Sequence, residues 1–190
     1  MALTPLATVA DLEARGVTVA AGELAAVTVY LDVASTLVRD AAGSPVSQTE
    51  STVKVEGRGT DRLPLPGAPV TAVSATLADG VVLGDCKLLN GALWRAEGFA
   101  EGTEYTVTYT HGLAEVPADI VDMVCRLAGQ ELMSLRSGET ASRPVKTERI
   151  GDYSVGYDTE VESGTMVLTD FQRSRLAARF GNGAGTVRAR

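Results

Sequence analysis

Apolar and polar positions along this chain change period several times, and each change marks an element. Tyr105, Val107 and Tyr109 alternate with Thr106, Thr108 and Thr110, the two-residue period of a half-buried strand. Gly112 ends that run. Ile120, Val121, Val124, Leu127, Ala128, Leu132 and Leu135 then recur at helical spacing, with Asp119, Asp122, Arg126 and Gln130 opposite. Pro117 suits the first helical position and Gly138 the stop, so the spacing predicts a helix over 117–137. This strand–turn–helix is expected to anchor the core.

The pattern predicts two helices upstream. Thr8 with Asp11 forms a capping-box pair opening a helix over 8–15, which Gly16 ends. Leu24, Val27, Leu31, Ala34, Leu37 and Val38 give an apolar face over 22–42, although Val27-Thr28-Val29-Tyr30 is weak in intrinsic helicity. Between 51 and 110 the period is that of strands. Val53 and Val55 alternate with polar residues, Ala78-Asp79-Gly80 reads as a hairpin connection between strands over 70–77 and 81–83, and Asn90-Gly91 as a two-residue hairpin turn. Leu63 and Leu65 alternate with Pro64 and Pro66, which confines that strand to an edge. Residues 96–102 read as a loop. Beyond a polar loop at 137–147 and an extended stretch at 148–158, a last helix over 170–180 carries Phe171, Leu176 and Phe180 beside Arg173, Arg175 and Arg179.

The fold class is α+β: a small helical bundle with an inserted antiparallel β region, an extended C-terminal segment and a terminal helix. The expected division is a core over 1–147 and an arm, basic helix and tail over 148–190. No run reads as long and apolar enough to span a membrane. Cys86 and Cys125 read as reduced, partly buried small hydrophobes.

Charge sharpens this picture. The net charge is −7, but residues 165–190 hold five Arg and one Asp, leaving 12 basic and 23 acidic side chains in the first 164. An acidic body argues against gripping DNA with the main surface, and a basic tail suits an acidic partner.

Candidate chemistry is sparse. His111 is the one histidine, at a strand end where a structural hydrogen-bonding role outweighs catalysis. There is no GxxxxGK[ST] and no GxSxG, and Asp119 with Asp122 reads as a solvated pair. Glu131 falls within the apolar stripe of its helix, where it either reaches water or meets an Arg of a neighbouring subunit. Met123 and Met133 lie toward the polar side, as adaptable contact residues do.

Several stretches, taken in order, resemble the head–tail connector (adaptor) proteins of long-tailed phages, actinobacteriophage type. They are TVADLEARGV, LDVASTLVRDAAG, LPLPGAPVTAVSAT, YTVTYTHGLAEVPADIVDMVCRLAGQ, ERIGDYSVGYD and LTDFQRSRLAARF. The β region over 51–95 is more elaborate than the helical core such adaptors share. The resemblance implies a virion structural protein of the neck, assembled in the host cytoplasm, with no enzymatic activity, cofactor or metal. It implies a ring, twelve-fold in the mature neck, beneath the portal protein. Such a ring extends the channel for passing double-stranded DNA and receives the next neck or tail-terminator protein, with no membrane involved. On that basis Phe171, Leu176 and Phe180 are expected to anchor on portal, with Arg173, Arg175, Arg179, Arg188 and Arg190 setting register. Leu63, Leu65, Met123, Glu131 and Met133 are candidates for contact between ring neighbours. The alternative is a nucleic-acid-binding regulator that uses the basic C-terminal helix.

Overall fold

A computed structural model describes residues 3–138, 147–150, 153–156 and 166–181. Helices and antiparallel sheets together make the fold α+β. The chain divides into two compact units. A helical unit combines 2–38 with 118–169, and a β unit combines 39–117 with the C-terminal 170–190. The strand and the helix on either side of Pro117 therefore belong to different units.

In the helical unit, α1 (Val9–Glu13) starts at Thr8, whose hydroxyl accepts from the Asp11 amide while the Asp11 carboxylate accepts from the Thr8 amide. A 3-10 turn, Ala21–Glu23, leads into α2 (Leu24–Ala42), and α3 spans Ala118–Ser137. Val27, Leu31, Ala34 and Val38 of α2 are buried, as are Ile120, Val124, Leu127, Ala128 and Leu132 of α3. Burial of that face holds the β-branched run of α2 helical against its propensity. The helix over 21–42 contains an 18-residue window of mean hydropathy 1.4 and is long and apolar enough, by length and composition, to cross a membrane. That corrects the expectation from sequence, although a buried face of this kind is what a core helix presents. Leu24 and Leu135 were placed in the apolar stripes, yet both are exposed, because each lies at a helix end beyond its packing partners.

The β unit holds two antiparallel sheets. Strands β1 (Thr49–Glu56), β2 (Thr60–Pro64), β3 (Val70–Ala78), β4 (Val81–Val82), β5 (Lys87–Leu89), β6 (Ala92–Phe99) and β7 (Glu104–His111) assemble as β1-β7-β3-β4 and β2-β6-β5. The run expected as a loop at 96–102 instead continues β6 to Phe99. The Asp79-Gly80 and Asn90-Gly91 turns have both residues at positive φ, as two-residue hairpins require. Leu63, Leu93, Phe99, Tyr105, Val107 and Tyr109 from both sheets form one apolar core, with the Phe99 and Tyr105 rings edge to face at 5.1 Å. A further hairpin, β8 (Thr147–Ile150) with β9 (Tyr153–Gly156), forms a separate two-stranded sheet. Helix α4 spans Asp170–Phe180, as the sequence pattern predicts.

Leu65 is fully buried in this core and Leu24 is 50% exposed. Leu65→Ala is expected to cost about 2–5 kcal/mol through the cavity it leaves. Leu24→Ala is expected to stay within about 0.5 kcal/mol. Urea denaturation of the two variants measures the contrast.

Candidate interaction surfaces

The N-terminal segment is strapped to α3 at two places. Leu12 is buried, and its methyl group reaches to 4.0 Å from where a Cβ on Gly129 of α3 would stand. Beside it Arg15 pairs with Asp122 at 3.2 Å, and Arg126, one helical turn on, pairs with the same carboxylate at 2.8 Å. Near the other end of α3, Arg136 pairs with Glu23 at 2.7 Å and donates to the Thr18 carbonyl at 2.6 Å. The Arg136 guanidinium, and after it the Ala20 amide, pull the Glu23 carboxyl down to about 2. The Thr8 hydroxyl lowers Asp11 and the Arg15 guanidinium lowers Asp122. Asp122 is therefore engaged by two arginines at once.

An open groove of about 1120 Å³ lies between this segment and α3, floored by Leu12, Val17, Cys125 and Gly129 and rimmed by Arg15, Arg126 and Met133. Burial pushes the Cys125 thiol up, which keeps it a small hydrophobe. Met133, proposed from sequence as a contact residue, is 56% exposed on the groove wall. Met123 is half-buried. Glu131 is also half-buried and makes no ion pair among the described residues.

In the β unit His111 is structural. It is buried, with Nδ1 2.8 Å from the Gly67 carbonyl and Nε2 2.9 Å from the Ser51 hydroxyl. Both ring nitrogens are committed to holding the loop after β2 and strand β1 against β7. Leu63 and Leu65 require a correction. The strand they flank lies at a sheet edge as Pro64 demands, yet both side chains point into the shared core, 1% and 0% exposed, and are closed to a neighbouring chain. The exposed apolar residues here are Val81, Val82 and Leu89, beside the two hairpin turns.

On α4 the expected anchors separate. Phe171 is 76% exposed, whereas Leu176 and Phe180 are each 2% exposed and so fasten the helix to its own chain. Arg173, Arg175 and Arg179 are exposed, and the Arg179 guanidinium lies 5.1 Å from the centre of the Phe180 ring. Arg188 and Arg190 lie outside the described residues.

Among the described residues no group of three or more His, Cys, Asp or Glu side chains is placed to hold a metal. In comparison with known proteins, no family model matches the chain and no curated protein matches it.

Because the Glu23 carboxyl is depressed on folding, its contribution is complete above its ordinary value of 4.5 and is lost as pH falls toward about 2. The helical unit should therefore lose stability on acidification from pH 5 to pH 2. Glu23→Gln should flatten that part of the profile, as thermal melts at a series of pH values would register.

Proposed function

We propose that this protein is a structural component of a particle, acting by shape and charge. More particularly, we infer a phage head–tail adaptor: one subunit of a ring beneath the portal, extending the DNA channel and offering a seat for the next neck or tail protein. The reading is supported by the resemblance of ordered stretches along the chain and by the insertion of a β region between α2 and α3. The observation that carries it furthest is α4, a basic helix with Phe171 exposed at its start, following a strongly acidic body. An exposed aromatic flanked by arginines is the composition of an interface anchor, and its charge suits an acidic partner. The acidic body suits a channel wall, because it repels phosphate and lets DNA slide.

The burial of Leu176 and Phe180 reduces the docking face to Phe171 with Arg173, Arg175 and Arg179. Phe171→Ala is expected to weaken capture by purified portal about tenfold or more, as truncation of a central aromatic does. Replacing the three arginines by alanine is expected to weaken it further and to remove its salt dependence. Electron microscopy of the mixture should show a collar of density below the portal ring. Unchanged capture by both variants overturns the docking face. Salt-sensitive binding to duplex DNA without any collar overturns the adaptor reading in favour of a nucleic-acid-binding regulator.

A further inference from the structure

We propose that the free edge of β1 receives the β8–β9 hairpin of a second copy of this chain, so that copies join by extending a sheet. β1 pairs with β7 through eight consecutive positions, Thr49↔His111 to Glu56↔Glu104, without a bulge, and among the described residues no strand lies on its other side. The phase of the ladder follows from one bond just beyond it: the Gly57 amide donates to the Thr103 carbonyl at 2.9 Å. Antiparallel pairs alternate, so Val55, Val53 and Ser51 turn their backbone groups to β7, while Glu56, Lys54, Thr52 and Glu50 turn theirs outward. Among the described residues no other backbone segment bonds to those outward groups.

The other sheet edges are blunted or irregular: β3, open beyond the two residues it pairs with β4, carries two register shifts. β2 carries Pro64 and a register shift between Thr60 and Arg62, β4 has two residues and β5 has three. Short length, proline, bulges and outward charges are the devices that keep edges from pairing. β1 is long, regular and without proline. Its polar side chains lean back across the sheet: Lys54 reaches Glu104 at 2.7 Å, Glu50 accepts from the Ser74 hydroxyl at 3.1 Å, and Thr52 meets Thr108 at 2.9 Å. They leave the outer flank uncovered.

The complementary part is the hairpin. β8 and β9 pair with each other and with no third strand among the described residues. Two strands alone are at best marginally stable in water, and a third completes them. A four-residue strand is about 13 Å long and fits within the eight-residue edge. Among the described residues the hairpin is not paired with β1, and we assign it to the edge of another copy. Each copy then uses its hairpin on one neighbour and its edge for the next, a head-to-tail contact that repeats until it closes. The contact needs neither portal nor DNA, so it stands or falls apart from the adaptor reading.

Amide hydrogen exchange of the full chain over a range of concentrations tests it, with sedimentation in parallel. Protection of the Thr52 and Lys54 amides is expected to rise at least tenfold with concentration, together with larger species. Thr52→Pro removes an outward donor while sparing the bonds to β7. Val155→Pro disables the hairpin. Each variant alone should remain monomeric with the helical circular dichroism of the parent, and an equal mixture should form a dimer that grows no further, because one free edge meets one intact hairpin. Exchange at Thr52 and Lys54 that is independent of concentration, fast or slow, overturns the proposal. So does a mixture of folded variants that stays monomeric.

Discussion

The β unit depends on the late arrival of its central strand. β1 and β3 never pair with each other; β7 lies between them, bonded to both, and supplies Tyr105, Val107 and Tyr109 to the shared core. The antiparallel register pairs Thr49 with His111, so the sheet closes only when the two ends of the region meet. Such long-range pairing costs loop entropy before burial compensates for it. What compensates is the two-sheet core, to which β2 and β6 contribute Leu63, Leu93 and Phe99. His111 extends the effect of β7 beyond its ladder, bonding the loop at Gly67 and the β1 side chain Ser51 at one end of the strand.

The helical unit is held differently. Its apolar faces on α2 and α3 stop short of the ends, where Leu24 and Leu135 are exposed. Charged straps take over there. Arg136 to Glu23 and Arg15 to Asp122 fix the N-terminal segment along α3, and the capping box at Thr8 fixes the start of α1. Exposed pairs of this kind add little stability singly, so they set position more than they supply strength. The groove beside them exists because the segment is held at its ends, with Leu12 touching down between.

Local sterics made much of this legible in sequence. Asn90-Gly91 can hardly be other than a hairpin turn, the hairpin at 78–80 is there with Ala78 taken into the strand, Thr8 with Asp11 is a complete cap in itself, and α4 begins and ends where its pattern says. The structural role of His111 followed from its place at a strand end. Questions of partner were not legible. Alternation with proline puts Leu63 and Leu65 at an edge but does not say that a second sheet covers their side chains. Helical spacing tells which side of a helix is apolar but not how far the neighbour reaches, so Leu24 and Leu135 read as core and are not. On α4 the same blindness made Leu176 and Phe180 look like Phe171, although only Phe171 remains outside. β6 runs past Arg95 without alternation and carries Gly98 at φ 74°, so nothing in its pattern announced a strand. The open edge of β1 appears only once register and strand order are known.

The place where the chain enters and leaves the β region has a wider consequence. The Leu113 amide donates to the Val46 carbonyl and the Gln48 amide to the Leu113 carbonyl, both at 2.8 Å, so the two ends lie side by side. Everything between them is a closed cassette hung from two adjacent strands of backbone. Such a cassette can be lengthened, trimmed or exchanged during descent without requiring the helices that flank it to be rebuilt.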